Sequence, residues 1–455
     1  MKRIWNNQTA PRCLLLGLAG LLFLPAVASR AQDDDVNEAL LQMVVDLVTG
    51  DDADMRTLGF QQIREEMPGA AATTRFSELL PKLPAEAQVG LLDALGDRRD
   101  KVARPAILDV LNSPKDRVRA AALRALGALG SEADVPLLVQ TAAPSDLEQD
   151  AARQSLIRLR GEEVNAAILT AIAEGGPKAR ATLLGVLAAR NATENLPTVL
   201  QCARDPNLDV RLAALDAIRY LADENQTAEI VDLLKTAEDE TERRKAELAL
   251  LVIVSRGGEA CAEPIIAGLG SADPASRAAL LRALARAGGA SALETIVAHS
   301  EDDGGMVRDE AMRMLSIWQD PAAKDRLLMI AQSAATLQYH VLAVRGLVQL
   351  ASPQEDKPAD LEILADVMRL ARRSEEKSLA LGILGGVGSP EALALATAAL
   401  DDPVLANEAG LATVRIVETI ENGDKDELRA ALKKVLDRAT NQQVRQRAQD
   451  ALAAL

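Results

Sequence analysis

Aromatic side chains are almost missing from this chain. Phe, Trp and Tyr make up 2% of 455 residues, although hydrophobic residues make up 48%. Ala and Leu supply the difference. Both are strong helix formers, and small side chains let helices approach closely. Such a core points to many packed helices rather than a sheet. Histidine is scarcer still, with only His299 and His340, which leaves little for a metal centre or an acid–base pair. Cysteine is nearly absent too: Cys13, Cys202 and Cys261. Positive charge is in deficit, with 51 Lys and Arg against 67 Asp and Glu, a formal charge of −16. An acidic chain is a poor partner for nucleic acid, whose affinity rests on neutralised phosphates. Beyond residue 28 no apolar run approaches the roughly 20 residues of a membrane-spanning helix.

The one apolar run sits at the start. "MKRIWNNQTAPR" carries three cations and no acid, Leu14 to Ala28 are nearly all apolar, and Ser29 and Ala31 precede Gln32 as small residues. That order of basic, apolar and small-residue regions is a secretory signal, residues 1–31. Cleavage after Ala31 removes Lys2, Arg3, Arg12, Arg30 and no acid, taking the formal charge from −16 to −20. The mature chain, 32–455, is expected to be soluble and extracytoplasmic, in a periplasm or outside the cell, with no segment left inserted in a membrane.

What is abundant is repetition. "DRVRAAALRALGALG" from Asp116 returns as "DVRLAALDAIRYLAD" from Asp209, "MVRDEAMRMLSIW" from Met306 and "VRQRAQDALAAL" from Val444. Arg119 aligns with Arg56, Gln88, Arg180, Arg211, Arg244, Arg277, Arg308, His340, Lys377 and Arg445, mostly at steps of about 31 to 33 residues. Val118, Ala122, Leu126 and Leu129 follow helical spacing and form one apolar face. Turns such as "ARDPNLD" and "LGSADPAS" precede each such helix and supply stops and caps. Another short amphipathic helix stands before each turn. The unit is helix, turn, helix, and about thirteen units follow from Gln32. No single unit of this length can bury its apolar faces alone, so the units must stack. Cys202 and Cys261 lie about two units apart. With layers roughly 10 Å apart, they are too distant for a disulfide, and two buried thiols are expected. The polar stretch 351–360, "ASPQEDKPAD", is the candidate hinge.

The Asp-x-x-Val-Arg-x-x-Ala-x-x-x-Leu pattern after a short helix and a Pro/Asp turn resembles HEAT repeats. The short period is similar to the compact HEAT-like class of phycobilisome lyases. The resemblance implies an all-α fold, a right-handed α-α superhelical solenoid of about 13 helix pairs, with the second helix of each pair on the concave side. It also implies that Arg119, Arg211 and Arg308 form a structural ladder with acidic residues along the stack. His340 departs from that pattern.

Catalytic signals are sparse. There is no nucleophile elbow, phosphate loop or zinc motif. The Asp-rich turns at 32–35, 50–54 and 401–402 lack the spacing of a calcium loop. His299 is followed by Ser300 and His340 by Val341, so the His-Glu pairs of HEAT-repeat di-iron hydroxylases are absent. HEAT-like DNA glycosylases use a basic groove with aromatics, which this acidic, aromatic-poor chain does not offer. No cofactor and no metal are expected. One constellation stands out: Arg282, Arg313 and Arg345 share a register position in three consecutive units. By the resemblance this position faces the concave side. Arginine suits carboxylate recognition and interface hot spots. The same row also reads as arginines paired with nearby acids such as Asp309 or Glu310. Met306 and Met314 lie in the same stretch as adaptable contact residues, while Trp318 and Tyr339 fall at core-facing positions.

These observations favour a non-catalytic scaffold that binds a protein or peptide along its concave face, with Arg282, Arg313, Arg345, Met306 and Met314 as candidate contacts. Two alternatives stand beside it. One is an enzyme or enzyme accessory subunit, lyase-like or metal-dependent, using the His299–His340 region. The other is a structural spacer of an envelope assembly. Export makes a direct prediction: N-terminal sequencing of the mature protein returns Gln32, and an intact Met1 overturns the leader assignment.

Overall fold

The helices begin where the sequence places cap residues. Asp52 accepts the main-chain N–H groups of Asp54 and Met55 at 2.8 and 3.1 Å, and Asp273 accepts those of Ala275 and Ser276 at 2.9 and 3.2 Å. Asn207, Asp239, Asp360, Asp424 and Asn441 cap other helices in the same way. Each such cap contributes about 1 kcal/mol. The Ser276 hydroxyl and the capped N–H groups hold the Asp273 carboxyl below its usual range, because hydrogen bonds favour the charged form.

The computed structural model describes residues 29–67, 69–141, 146–301, 305–421 and 423–455, and the side chains of residues 29–37 and 146 fall outside that description. The predicted leader lies outside the described residues up to residue 28. Ser29 to Ala31 are described only as backbone opening the helix Ser29–Thr49. No described helix is long and apolar enough to cross a membrane.

Among the described residues the structure is helical, with one isolated β-bridge and no strand. First and second helices alternate in thirteen pairs, from Ser29–Thr49 with Ala53–Glu65 to Lys425–Arg438 with Gln442–Ala454. The chain divides into two compact units, one up to Ala167 and one from Ile168 onward. Each is an α-solenoid. In the first unit, Ala85–Arg98 packs on Asp116–Leu129, which packs on Asp146–Arg158. In the second, each second helix from Pro177–Ala189 to Gln442–Ala454 packs on the next.

The expected apolar face is the buried one: Val118, Ala122, Leu126 and Leu129 are all inside. Small residues set how closely the second helices approach. A Cβ on Gly127 would lie 2.5 Å from the Ser155 Cα, and one on Gly96 would lie 3.2 Å from the Ala125 Cα. The Ser155 hydroxyl then donates to Leu123 O of the preceding second helix at 2.7 Å. Cys202 and Cys261 are buried free thiols, and burial pushes the Cys202 thiol up.

Of the segment 351–360, Ala351 ends the helix Leu337–Ala351 and the rest is a loop of the second unit. Gln354 and Lys357 exchange main-chain hydrogen bonds at 2.9 and 3.2 Å, and Asp360 N–H donates to Ala351 O at 3.0 Å. The loop is thus closed by its own backbone before the next helix, Leu361–Leu370, begins.

Two glycine substitutions test the packing with opposite signs. Gly127→Ala overpacks the contact with Ser155 and is expected to cost about 1–3 kcal/mol. Gly185→Ala meets nothing within 4 Å in its helix and should stabilise by about 0.5–1 kcal/mol through helix propensity. Urea denaturation of the two variants checks both, and equal midpoints would contradict this account of helix approach.

Candidate functional site: a mixed-charge groove in the second unit

Three consecutive second helices, Glu240–Gly257, Pro274–Ala287 and Met306–Ser316, enclose a groove of about 710 Å³. Glu240, Arg243, Arg244 and Glu247 line one side, at helical spacing. Met306, Asp309, Glu310 and Arg313 line the other. The floor is Ala275 and Ala278. The groove exists because the middle helix offers alanines where its neighbours offer long charged side chains.

The charges are joined across the layers. Arg282 grips Glu247 with two bonds, Nε to Oε1 at 2.5 Å and Nη2 to Oε2 at 3.0 Å. Its Nη1 lies 3.3 Å from Glu310 Oε1, and Glu310 Oε2 accepts from Arg313 Nη1 at 2.6 Å. The Glu310 side chain is 8% exposed, whereas Arg313 is 51% exposed. Arg345 is held separately, donating to Glu376 Oε1 at 3.1 Å, and Glu376 also meets Arg373. Of the two readings of this arginine row, the structure shows the paired one. Each of Arg282, Arg313 and Arg345 ends on a carboxylate, so the row is charge-compensated and is not a bare cationic stripe. Arg282 and Arg313 share the groove, while Arg345 lies outside its lining. The Glu247 carboxylate, followed by Glu310, holds the Arg282 guanidinium above its usual range against the opposing effect of burial.

Met306 stands at the groove, 57% exposed. Met314 does not line it. Half-buried, it lines the neighbouring hollow of about 620 Å³ with Arg282, Ile317 and Trp318. Trp318 is buried. Tyr339, expected in the core, is only half-buried, because its hydroxyl donates to Asp309 Oδ1 at 2.6 Å and draws the ring toward the surface. That bond holds the Tyr339 phenol above its usual range.

The three ladder positions differ. Arg119 donates to Glu148, and Arg211 donates to Glu242 at 2.7 and 3.2 Å. Both also reach back six residues, to Ser113 O and Asp205 O. Arg308 has no acid partner among the described residues. Its guanidinium lies 4.9 Å from the centre of the Tyr339 ring, a cation–π contact. The reason is local: Glu148, Glu242 and Tyr339 are each the third residue of the next second helix. An aromatic face replaces a carboxylate there. In the unit that begins at Glu240 the alignment slips by one. Arg243, not Arg244, makes the six-residue reach, to Ala237 O at 3.5 Å. Arg244 instead lines the groove.

The two histidines are committed to main-chain bonds on separate helices. His299 Nδ1 lies 2.9 Å from Thr295 O. His340 is buried, its Nδ1 bonding Ala331 O at 2.8 Å while its Nε2 accepts from the Arg372 N–H at 3.2 Å. A carbonyl can only accept, so the His340 proton sits on Nδ1 and the ring joins three chain segments. Among the described residues no group of three or more His, Cys, Asp or Glu is placed to hold a metal ion.

Glu247 and Glu376 were not singled out by the sequence. The row arginines that they meet, Arg282 and Arg345, stand 35 and 31 residues away, and in an acidic chain one more glutamate carries no signal.

Comparison with known proteins follows this geometry. A family model described as HEAT repeats matches residues 74–157 and 262–345, and one described as HEAT repeat matches residues 196–224. These stretches resemble HEAT repeats, and residues 262–345 take in the groove's middle and last helices. No curated protein matches the chain. Among solved structures, the karyopherin Kap121p bound to the extreme C-terminus of the protein phosphatase Cdc14p superposes with a TM-score of 0.51 at 14% identity, covering 94% of this chain and 55% of that one. Kap121p bound to RanGTP gives 0.48 at 14% identity, covering 92% and 56%. The chain spans about half the length of the karyopherin it matches, and at this identity the likeness is one of fold.

The ionic chain gives a quantitative expectation. Glu310→Ala leaves Arg282 and Arg313 without their shared acceptor and should cost about 1–3 kcal/mol, while Arg313→Ala, half exposed, should cost less than about 1 kcal/mol. Denaturant melts in a double-mutant cycle read both, and an unaltered Glu310→Ala variant would remove the network from the structural account.

Proposed function

We propose that this chain is a non-catalytic protein-interaction scaffold acting outside the cytoplasm, docking a segment of a partner protein across the second-helix groove between Glu240 and Arg313. The carrying observation is the groove itself: four carboxylates and four guanidiniums stand over an alanine floor, with Met306 exposed beside them. Solenoids offer extended surfaces of this kind to proteins and peptides. The compensated ion pairs favour a partner that carries both charges and can replace one surface pair with another, anchored by an apolar residue at Met306. The acidic balance favours protein over nucleic acid. HEAT repeats support the reading, as does a fold shared with a karyopherin that holds the C-terminus of another protein. The short repeat period and the leader at residues 1–31 support an exported protein of the compact HEAT-like class.

The test is crosslinking with mapped products. The native chain and a Met306→Glu, Arg313→Glu variant are exposed to extracytoplasmic extract of the source organism. Both substitutions fall on exposed side chains, so folding is expected to persist, and circular dichroism checks it. The expected result is a partner segment crosslinked to groove residues, with at least tenfold weaker capture by the variant. Capture that the variant leaves unchanged, or crosslinks confined to other faces, would overturn the groove as the docking site.

A further inference from the structure

The two terminal helix pairs differ in a way a stack alone does not require. Among the described residues the first and the last pair each have one face with no neighbouring pair, and solenoids cover such a face with polar residues. The last pair obeys the rule: no large exposed apolar side chain falls within Lys425–Arg438 or Gln442–Ala454. The first pair does not. Leu40, Met43, Met55 and Leu58 are 43 to 49% exposed.

Helical geometry puts these four on the side away from the stack. On the helix Ala53–Glu65, Phe60 packs over Gly90 of the second pair, where an added Cβ would lie 2.4 Å from the ring. Met55 and Leu58 project from the opposite side, since successive residues turn by about 100°. On the helix Ser29–Thr49, Arg75 of the second pair approaches Glu38 at 4.0 Å and Gln42 at 3.4 Å. Leu40 and Met43 face the other way by the same rule. Both helices therefore hold exposed apolar side chains on the side away from the second pair.

Its rim is acidic. Asp51, Asp54, Glu65 and Glu66 are exposed and have no ion-pair partner among the described residues. The neighbouring cations are engaged elsewhere: Arg56 donates to Gly50 O, and Arg64 pairs with Asp97. A second copy of the chain, meeting this face by two-fold symmetry, would set acid against acid. An anionic lipid surface would be repelled likewise. A helix with an apolar stripe flanked by lysine or arginine matches both the surface and its rim.

We propose that the N-terminal end face, built by Leu40, Met43, Met55 and Leu58 within its acidic rim, docks a basic amphipathic helix of a partner protein. This site lies in the first unit and does not depend on the groove of the second.

The probe is a fluorescent synthetic Lys/Leu peptide with leucine at helical positions i, i+3, i+4 and i+7. The control is the same composition scrambled so that no apolar stripe forms. Fluorescence anisotropy is measured on the full chain and on the chain beginning at Gln32. The expected result is saturable binding of the amphipathic peptide by both, at least tenfold tighter than the scrambled one. Met43→Glu with Leu58→Glu should weaken it at least tenfold with an unchanged melting curve. Asp54→Asn with Glu65→Gln should also weaken it while leaving the apolar surface intact, which decides the matter should the first pair unfold. Met306→Glu with Arg313→Glu should leave this binding unchanged even where groove capture fails. Equal binding of the scrambled peptide, or binding indifferent to both end-face variants, overturns the proposal. So does dimerisation in light scattering that Met43→Glu with Leu58→Glu abolishes, which makes a second copy the occupant. Binding by the Gln32 chain but not by the full chain overturns it too, and assigns the face to the chain's own leader.

Discussion

Within each unit, every second helix must lie close enough to the next to share one buried face, and the rest of that unit's structure depends on the contact. A helix pair this short has too little interior of its own. The contact is made by alanine, glycine and serine rather than by large side chains, as at Gly127 against Ser155 and Gly96 against Ala125. That explains a chain rich in hydrophobic residues and poor in aromatics. Close approach leaves little room for rings, and Phe60 fits between two second helices where Gly90 faces it.

The same closeness organises the charges. Long side chains on the outward face of one second helix reach the next, so ion pairs form between layers as well as within them. Glu247, Arg282, Glu310 and Arg313 run across three helices in this way. Arg119 to Glu148 and Arg211 to Glu242 do the same at the turn side of the helix. Buried acids such as Glu310 and Glu376 are tolerated because guanidiniums meet them. Such pairs add little net stability after desolvation, and their loss is felt mainly when one partner is left alone. They fix which layer meets which, and they leave a surface whose charges are already balanced.

That balance shapes what each surface offers. Around Arg282, Glu310 and Arg313, a partner must exchange ion pairs rather than neutralise a free field, which favours selectivity over raw attraction. At the N-terminal end the situation is reversed: apolar side chains and unpaired acids stand exposed together. One surface reads charge pattern, the other reads amphipathic shape.

The repeat, the helical period and the turn chemistry were all legible in the chain itself. Val118, Ala122, Leu126 and Leu129 announced a buried face, and the Asp and Asn turns announced caps, because both signals are local and recur. The count of about thirteen pairs followed from the same period. The register failed where local signals were ambiguous. Arg243 and Arg244 are adjacent and alike, and only the position of Ala237 O shows which one reaches back. The role of Arg308 was equally out of reach, since it is decided by Tyr339 in the following layer. The arginine row was visible as a row, but its partners Glu247 and Glu376 lie about one repeat away, and one acid among many cannot be matched by spacing alone. The sequence by itself determined the helix pairs and the need to stack them, because burial and capping act over a few residues. Only the tertiary structure decided which charges cancel and which apolar faces stay uncovered, because those depend on what the neighbouring layer presents.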